Sequence, residues 1–357
     1  EATVSRMKIW INNRMQGDIG PILIMAGLFI LLLLVFLLDI VVGSRLIRLD
    51  ELISSFSEGG DRSIQILVLT FRLPRALTAI FAGVALSVSG LQMQTVFRNP
   101  LAGPYVLGIS SGASLGVAIL ILGFSTFFTV AGLTIGGNWA IVVAAWLGSG
   151  AVLMLILAVS RRVKDIMTVL ILGIMLGGAI SSIVTILQYF STESMLKAFV
   201  IWTMGSLGNL TWNQLIVLII SVMAGLIFSV ISIKPLNALL LGEEYAHTMG
   251  LNIQRTRTLV FLSTSILAGS ITAFCGPIAF IGIAVPHITR LLLNRSSHNY
   301  LLPGSILVGG ILLLISDIIS QLPGSDKVLP INSITALIGI PVMIWIILRR
   351  NRLIRIG

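Results

Sequence analysis

Ten apolar runs set what this chain can fold into. They lie at roughly residues 21–41, 74–96, 104–122, 139–159, 166–189, 213–233, 258–275, 278–293, 301–321 and 333–348. Most approach the ~20 residues that a helix needs to cross the hydrocarbon core of a bilayer. A continuous apolar segment in lipid must satisfy its backbone polar groups internally, and the helix does so. A water-soluble core does not explain these runs. Only 10% of the residues are charged, against roughly 25% in a soluble domain, too few to coat a surface of this size. The expected fold is an all-α polytopic membrane protein, one domain over residues 1–357 with about ten transmembrane helices. The first run is read as a retained span.

The net charge of +10 raises the question of where the cations lie. With a cytoplasmic N-terminus and ten spans, 16 of the 23 Lys and Arg fall inside, among them Arg161, Arg162, Lys164, Arg255 and Arg257. The seven outside include Arg48, Arg72, Arg75 and Lys327. Cytoplasmic loops retain Lys and Arg, so this bias predicts both termini inside, with residues 1–20 a cytoplasmic segment. The single Cys275 permits neither an intramolecular disulfide nor a cysteine metal cluster.

Two runs contain breaks. Asn99-Pro100 and Gly103-Pro104 interrupt the third, and Cys275-Gly-Pro277 and Pro286 interrupt the eighth. These places match if segments 2–5 and 7–10 are repeats entering the membrane from opposite sides, a pattern that points to transport. Gly and Pro are also common in membrane helices without such meaning. Gly108, Gly112 and Gly116 line one helix face, as do Gly173 and Gly177, and such faces let helices approach closely.

What is missing narrows the chemistry. The chain has no G-x-x-x-x-G-K-[ST] phosphate loop, no H-E-x-x-H and no G-x-S-x-G. Only Asp39 and Asp317 approach the membrane interior, near the outer ends of their spans. An ion-coupled secondary carrier usually needs an ionisable relay at depth. The lack of such a relay weakens the ion-coupled carrier, which stays as the alternative, and leaves the energy source to a partner; the chain is not expected to be an enzyme.

Ordered motifs carry a family resemblance over about residues 65–348. They include Arg72-Leu-Pro-Arg75, Arg98-Asn-Pro-Leu-Ala102, Leu107-Gly-Ile-Ser-Ser-Gly-Ala113, Trp202-Thr-Met-Gly205, Pro235-Leu-Asn237, Gly276-Pro-Ile-Ala-Phe-Ile-Gly282, Val285-Pro-His-Ile-Thr-Arg290 and Ser316-Asp-Ile318. The series resembles the FecCD family, the permease subunits of type II ABC importers for iron–siderophores, haem and cobalamin. The resemblance implies a ten-helix subunit, a dimeric core in the bacterial cytoplasmic membrane, two cytoplasmic ATPase subunits and an extracytoplasmic binding protein; a homodimer is the default, since closed two-fold assemblies dominate, with a heterodimer left open. ATP and magnesium would sit on the ATPase, with no cofactor in this chain. A ferric siderophore is the expected cargo, with haem or cobalamin as alternatives.

The resemblance also implies sites. Arg72 and Arg75 would meet acidic residues of the binding protein, since arginine presents a planar fork to carboxylates. Snorkelling at the membrane interface explains them equally in physical terms. A third arginine of the family pattern is replaced by Gln321, and Lys327 is a candidate substitute. The loop over 234–257 resembles the coupling loop that seats in the ATPase. Within it Gly242, Glu243, Glu244, Ala246, His247, Met249 and Gly250 are the expected contacts, with Ala246 and Met249 forming an apolar face. For the translocation pathway, Gly178, Ser181, Thr185 and Gln188 share one helix face, as do Asn332, Thr335 and Gly339. Hydrogen bonding between helices would use the same residues. Lys164 and Asp165 fall where similar permeases place a cytoplasmic gate.

Overall fold

In the computed structural model every regular element is helical, and the described residues contain no strand. The structure describes residues 2–43, 46–56, 61–123, 137–163, 165–324 and 327–354; within them, side chains are described from residue 19 to 348 except 137, 138, 346 and 347. Among the described residues, ten helices coincide with the ten apolar runs. They are α1 (Ala2–Val41), α2 (Leu73–Val96), α3 (Ile109–Ala118), α4 (Gly137–Arg162), α5 (Ile166–Tyr189), α6 (Trp212–Ile231), α7 (Ile253–Cys275), α8 (Ile281–Leu293), α9 (His298–Ser320) and α10 (Ile331–Ile354). Seven of the runs are long and apolar enough to cross a membrane, whereas those of α3, α8 and α10 are shorter apolar helices.

The two short inner helices begin late because their leading residues cannot be helical. Before α3, Pro104–Leu107 forms a single 3-10 turn and Gly108 takes φ 73°. Before α8, Gly276 and Phe280 take φ 75° and 68°. Such values sit easily on glycine and cost free energy on phenylalanine. Phe280 keeps its conformation because the segment is held by neighbours: the Asn332 side chain accepts from Ala279 N at 3.0 Å, and Tyr105 Oη donates to Ile278 O.

Burial sorts the helices. α2, α7 and most of α9 are enclosed, while α1, α4, α5 and α6 expose broad apolar faces, such as Ile30, Leu34, Ile174, Met175, Ile220 and Ile227. The enclosed helices are rich in small residues, which allow backbones to touch where lipid removes the hydrophobic drive for helix association. A methyl group on Gly90 would overlap the backbone of Gly282 in α8, and one on Gly83 would overlap Gly309 in α9. The Ser87 hydroxyl donates to Ser305 O at 2.8 Å across the same seam. Gly112 and Gly116 lie on Gly148 and Ala144 of α4, and Gly173 of α5 lies on Val106 O, but Gly108 does not share their helix face: it precedes α3 in a left-handed conformation and turns toward Gly173 and Gly177 of α5.

The contacts also pair off. α2 packs on α8 and α9 as α7 packs on α3 and α4, and α3 packs on α4 and α5 as α8 packs on α9 and α10. α1 leans on α9, and α6 leans on α7.

Candidate functional site

One end of the bundle carries a closed polar knot. The π-helical turn Leu67–Arg72 leads into α2 and delivers Arg72 to the C-terminus of α1. There Arg72 Nη1 donates to Ile40 O at 2.7 Å and Val41 O at 2.8 Å. Cations are favoured at helix C-termini, where carbonyls are unsatisfied. One turn on, Arg75 forms a fork with Asp317 of α9: Nε reaches Oδ2 at 2.8 Å and Nη2 reaches Oδ1 at 2.8 Å. Gln321 then donates from Nε2 to both Asp39 Oδ1 and Asp317 Oδ2, each at 3.0 Å. Two arginines and two carboxylates thereby close on one another, with Asp39, Arg72, Asp317 and Gln321 all buried.

The arginines and the glutamine expected at the docking surface are turned inward in this structure. Arg72, Arg75 and Gln321 spend their hydrogen bonds inside the protein, and the Arg75 side chain is only 17% exposed. Asp317 lies 242 positions from Arg75 in sequence, so no local pattern announces the pairing. Lys327 lies exposed near this end.

At the other end α6 turns into two short helices, Ile233–Leu239 and Glu243–Thr248. Gly242 and Gly250 bracket the second with φ 112° and 85°, a region that favours glycine, and open space surrounds both. Ala246 is fully buried in the cluster formed by Leu236, Leu239, Val260 and Phe261. It therefore faces this protein and not a partner, contrary to the sequence expectation. The exposed apolar side chains are Leu241, Tyr245 and Met249, spaced four apart. Glu244, His247 and Thr248 are exposed beside them. Glu243 turns inward and meets Arg257 of α7 at 2.7 Å, an anchor and not an outward contact.

The proposed pathway faces separate. On α5, Gly178, Ser181 and Thr185 are exposed and Gln188 is half-buried. The Thr185 hydroxyl donates to Ser181 O of its own helix. On α10, Asn332 holds the break before α8, Thr335 is fully buried and Gly339 lies on the Phe280 ring. This α10 face packs within the bundle, as the interhelical alternative has it, and not as an open face like that of α5. Of the gate pair, Lys164 lies outside the described residues. Asp165 is the N-cap of α5, accepting from the Thr168 hydroxyl at 2.7 Å and from Thr168 N and Met167 N. Those bonds, the Thr168 hydroxyl first, hold its carboxyl below the usual aspartate range. Capping accounts for the residue.

Among the described residues no group of three His, Cys, Asp or Glu is placed to hold a metal. Residues 31–349 match the FecCD transport family. The chain belongs to that family. A hemin transport system permease protein, HmuU of Yersinia pestis, is 34% identical over 94% of this chain and 98% of its own length. A vitamin B12 import system permease protein, BtuC of Salmonella paratyphi A, is 36% identical over 91% of this chain and 95% of its own. A solved metal-chelate type ABC transporter in an inward-facing conformation superposes with a TM-score of 0.79 at 29% identity, covering 91% of this chain and 99% of the other. This FecCD chain is an ABC transporter permease.

Several residues of this permease escape single-sequence reasoning. His298 belongs to none of the motifs, and Asn237 enters only as the end of Pro235-Leu-Asn237, yet His298 is fully buried against Asn237. Arg257 reads as a loop cation but is 2% exposed. Only the abrupt placement of these polar residues beside apolar runs hints at burial.

Proposed function

We propose that this permease imports ferric siderophores, driven by ATP hydrolysis on two cytoplasmic partner subunits and supplied by an extracytoplasmic binding protein. The observation that carries the reading is the Glu243–Thr248 helix. It offers Leu241, Tyr245 and Met249 to a partner. It is seated rigidly on Ala246 and the Glu243–Arg257 pair. A small rigid projection with an apolar centre is what a cleft in another protein grips. The chain carries no nucleotide motif of its own, so nucleotide and magnesium are assigned to the partner and no cofactor to this chain.

Ten spans with both termini cytoplasmic, an inverted repeat of α2–α5 and α7–α10, and a location in the bacterial cytoplasmic membrane complete the proposal. The corresponding contacts of the two sets and the charge bias support it. A second copy pairs with the exposed α5 face, so that Gly178, Ser181, Thr185 and Gln188 border the pathway. Docking of the binding protein at the outer end uses Lys327 directly and Arg72, Arg75 and Gln321 only if the knot opens. An ion-coupled carrier is disfavoured because Asp39 and Asp317 are already bound into that knot.

The test is uptake into vesicles holding the permease and its ATPase, with binding protein and ATP supplied. A ferric siderophore should accumulate, and excess haem or cobalamin should not compete. Uptake of haem or cobalamin instead would change the cargo, and uptake without the ATPase would end the importer reading.

A further inference from the structure

The short helices of the coupling loop make one more contact, deep in the protein. The Ile233–Leu239 and Glu243–Thr248 helices share one apolar cluster through Leu236, Leu239 and Ala246, so they move as a unit. From this unit Asn237 reaches the first residue of α9. Its Oδ1 accepts from His298 N at 2.8 Å and lies 3.0 Å from His298 Nδ1. The opposite ring nitrogen, Nε2, lies 3.0 Å from the Thr95 hydroxyl in the last turn of α2. The adjacent Gln94 is bound to α8, accepting from Arg290 Nη1 at 2.6 Å and donating to Ile283 O at 3.1 Å. The end of α2 is therefore tied on one side to α8 and on the other, through one imidazole, to the coupling loop.

Hydrogen-bond chemistry fixes the roles. Asn237 Oδ1 already receives a backbone N–H, so the amide cannot be turned to place its NH₂ there. Nδ1 must then carry a proton and donate. In a neutral ring Nε2 only accepts, so the single hydrogen of the Thr95 hydroxyl is shared between that nitrogen and Leu91 O, each at 3.0 Å. A rigid ring with a polar atom on opposite edges is the shortest link between two groups that do not touch. His298 is completely buried, and Thr95 nearly so, so water does not substitute for either bond.

We propose that His298 is the positioning residue that passes displacement of the coupling loop to the cytoplasmic end of α2, the helix at the centre of the bundle. This rests on the reading of that loop as the ATPase contact. Losing the link should leave the ATPase bound and hydrolysing while the pore no longer follows. Mutations along such a connection shift coupling by amounts equivalent to about two- to thirtyfold.

The experiment uses the full permease with its ATPase and binding protein in vesicles, and reads substrate taken up per ATP hydrolysed. Thr95→Val is isosteric and removes only the hydroxyl, whereas Thr95→Ser keeps it. Thr95→Val, Asn237→Ala and His298→Phe should each lower the uptake-to-hydrolysis ratio on the order of tenfold, with the ATPase still co-purifying. Thr95→Ser should keep the wild-type ratio. If the ring carries the coupling between Thr95 and Asn237, the double variant Thr95→Val/Asn237→Ala should be no worse than the more severe single variant. If His298→Phe does not fold, the Thr95 pair and the double variant carry the test. An unchanged ratio in Thr95→Val, an equal fall in Thr95→Ser, or additive losses in the double variant would overturn the proposal. The wild type in the same vesicles separates the two claims. ATP-driven uptake by the wild type with unaltered coupling in the variants refutes only the His298 link. No ATP-driven uptake by the wild type refutes the importer reading beneath it.

Discussion

Arg75 shows how a single residue changes meaning with its surroundings. Its fork to Asp317 is fully formed, and Asp317 is also held by Gln321. Removing one member of a buried pair strands the other charge, which costs roughly 3–5 kcal/mol. Asp317→Asn should therefore lower the thermal unfolding temperature of the detergent-purified permease clearly. Replacing both partners, as in Arg75→Met with Asp317→Leu, should recover most of that loss, since paired removal leaves no stranded charge. A double variant as unstable as Asp317→Asn alone would show that the pair does more than neutralise itself. Ala246 carries a second lesson. It is fully buried in the apolar cluster that includes Phe261, Val260 and Leu239, so its size is set within this protein. Ala246→Leu should overpack this site and destabilise the permease itself by roughly 1–3 kcal/mol, measurable by unfolding without any ATPase present.

Among the elements, the Glu243–Thr248 helix has two faces with different tasks. Ala246 and Glu243 face inward, and Leu241, Tyr245 and Met249 face outward. Met249→Glu leaves every described internal contact of this helix intact and places a carboxylate at the end of the exposed apolar row, one turn from Tyr245. It should reduce capture of the ATPase by the immobilised permease by at least tenfold, because buried unpaired charge is poorly tolerated in an interface. Its unfolding temperature should match the wild type. Full capture by Met249→Glu would move the ATPase contact elsewhere. The broken segments before α3 and α8 are equally divided. Their punctuation by Gly and Pro is visible in the sequence, but Phe280 at φ 68° is not. That conformation is maintained by Asn332 and Tyr105, which arrive from α10 and from the turn before α3.

At the level of the whole molecule, the proposed topology has a direct check. Ser194, beyond α5, and Thr248, in the coupling loop, are both exposed, and the one native cysteine is buried. In intact cells a membrane-impermeant maleimide should label Ser194→Cys and spare Thr248→Cys. Labelling at Thr248→Cys from outside would invert the arrangement.

What the sequence determined by itself is the part governed by local or averaged properties. Apolar run length places all ten helices, and Gly103-Pro104 and Gly276-Pro277 mark the interruptions before α3 and α8, although α8 runs on through Pro286 where the sequence predicts a break. Small residues at helical spacing mark the seams at Gly112, Gly116 and Gly173. Each depends on neighbours within a few turns of the same chain. The tertiary structure alone decided which way polar side chains point. Arg72 and Arg75 turn inward because α1 offers bare carbonyls and α9 offers Asp317. The Asn332, Thr335 and Gly339 face closes on the broken segment before α8, whereas the similar face of α5 stays open. The reason is physical. A buried polar group has a free-energy minimum only where it finds a partner, and here those partners come from remote helices that no local pattern can name.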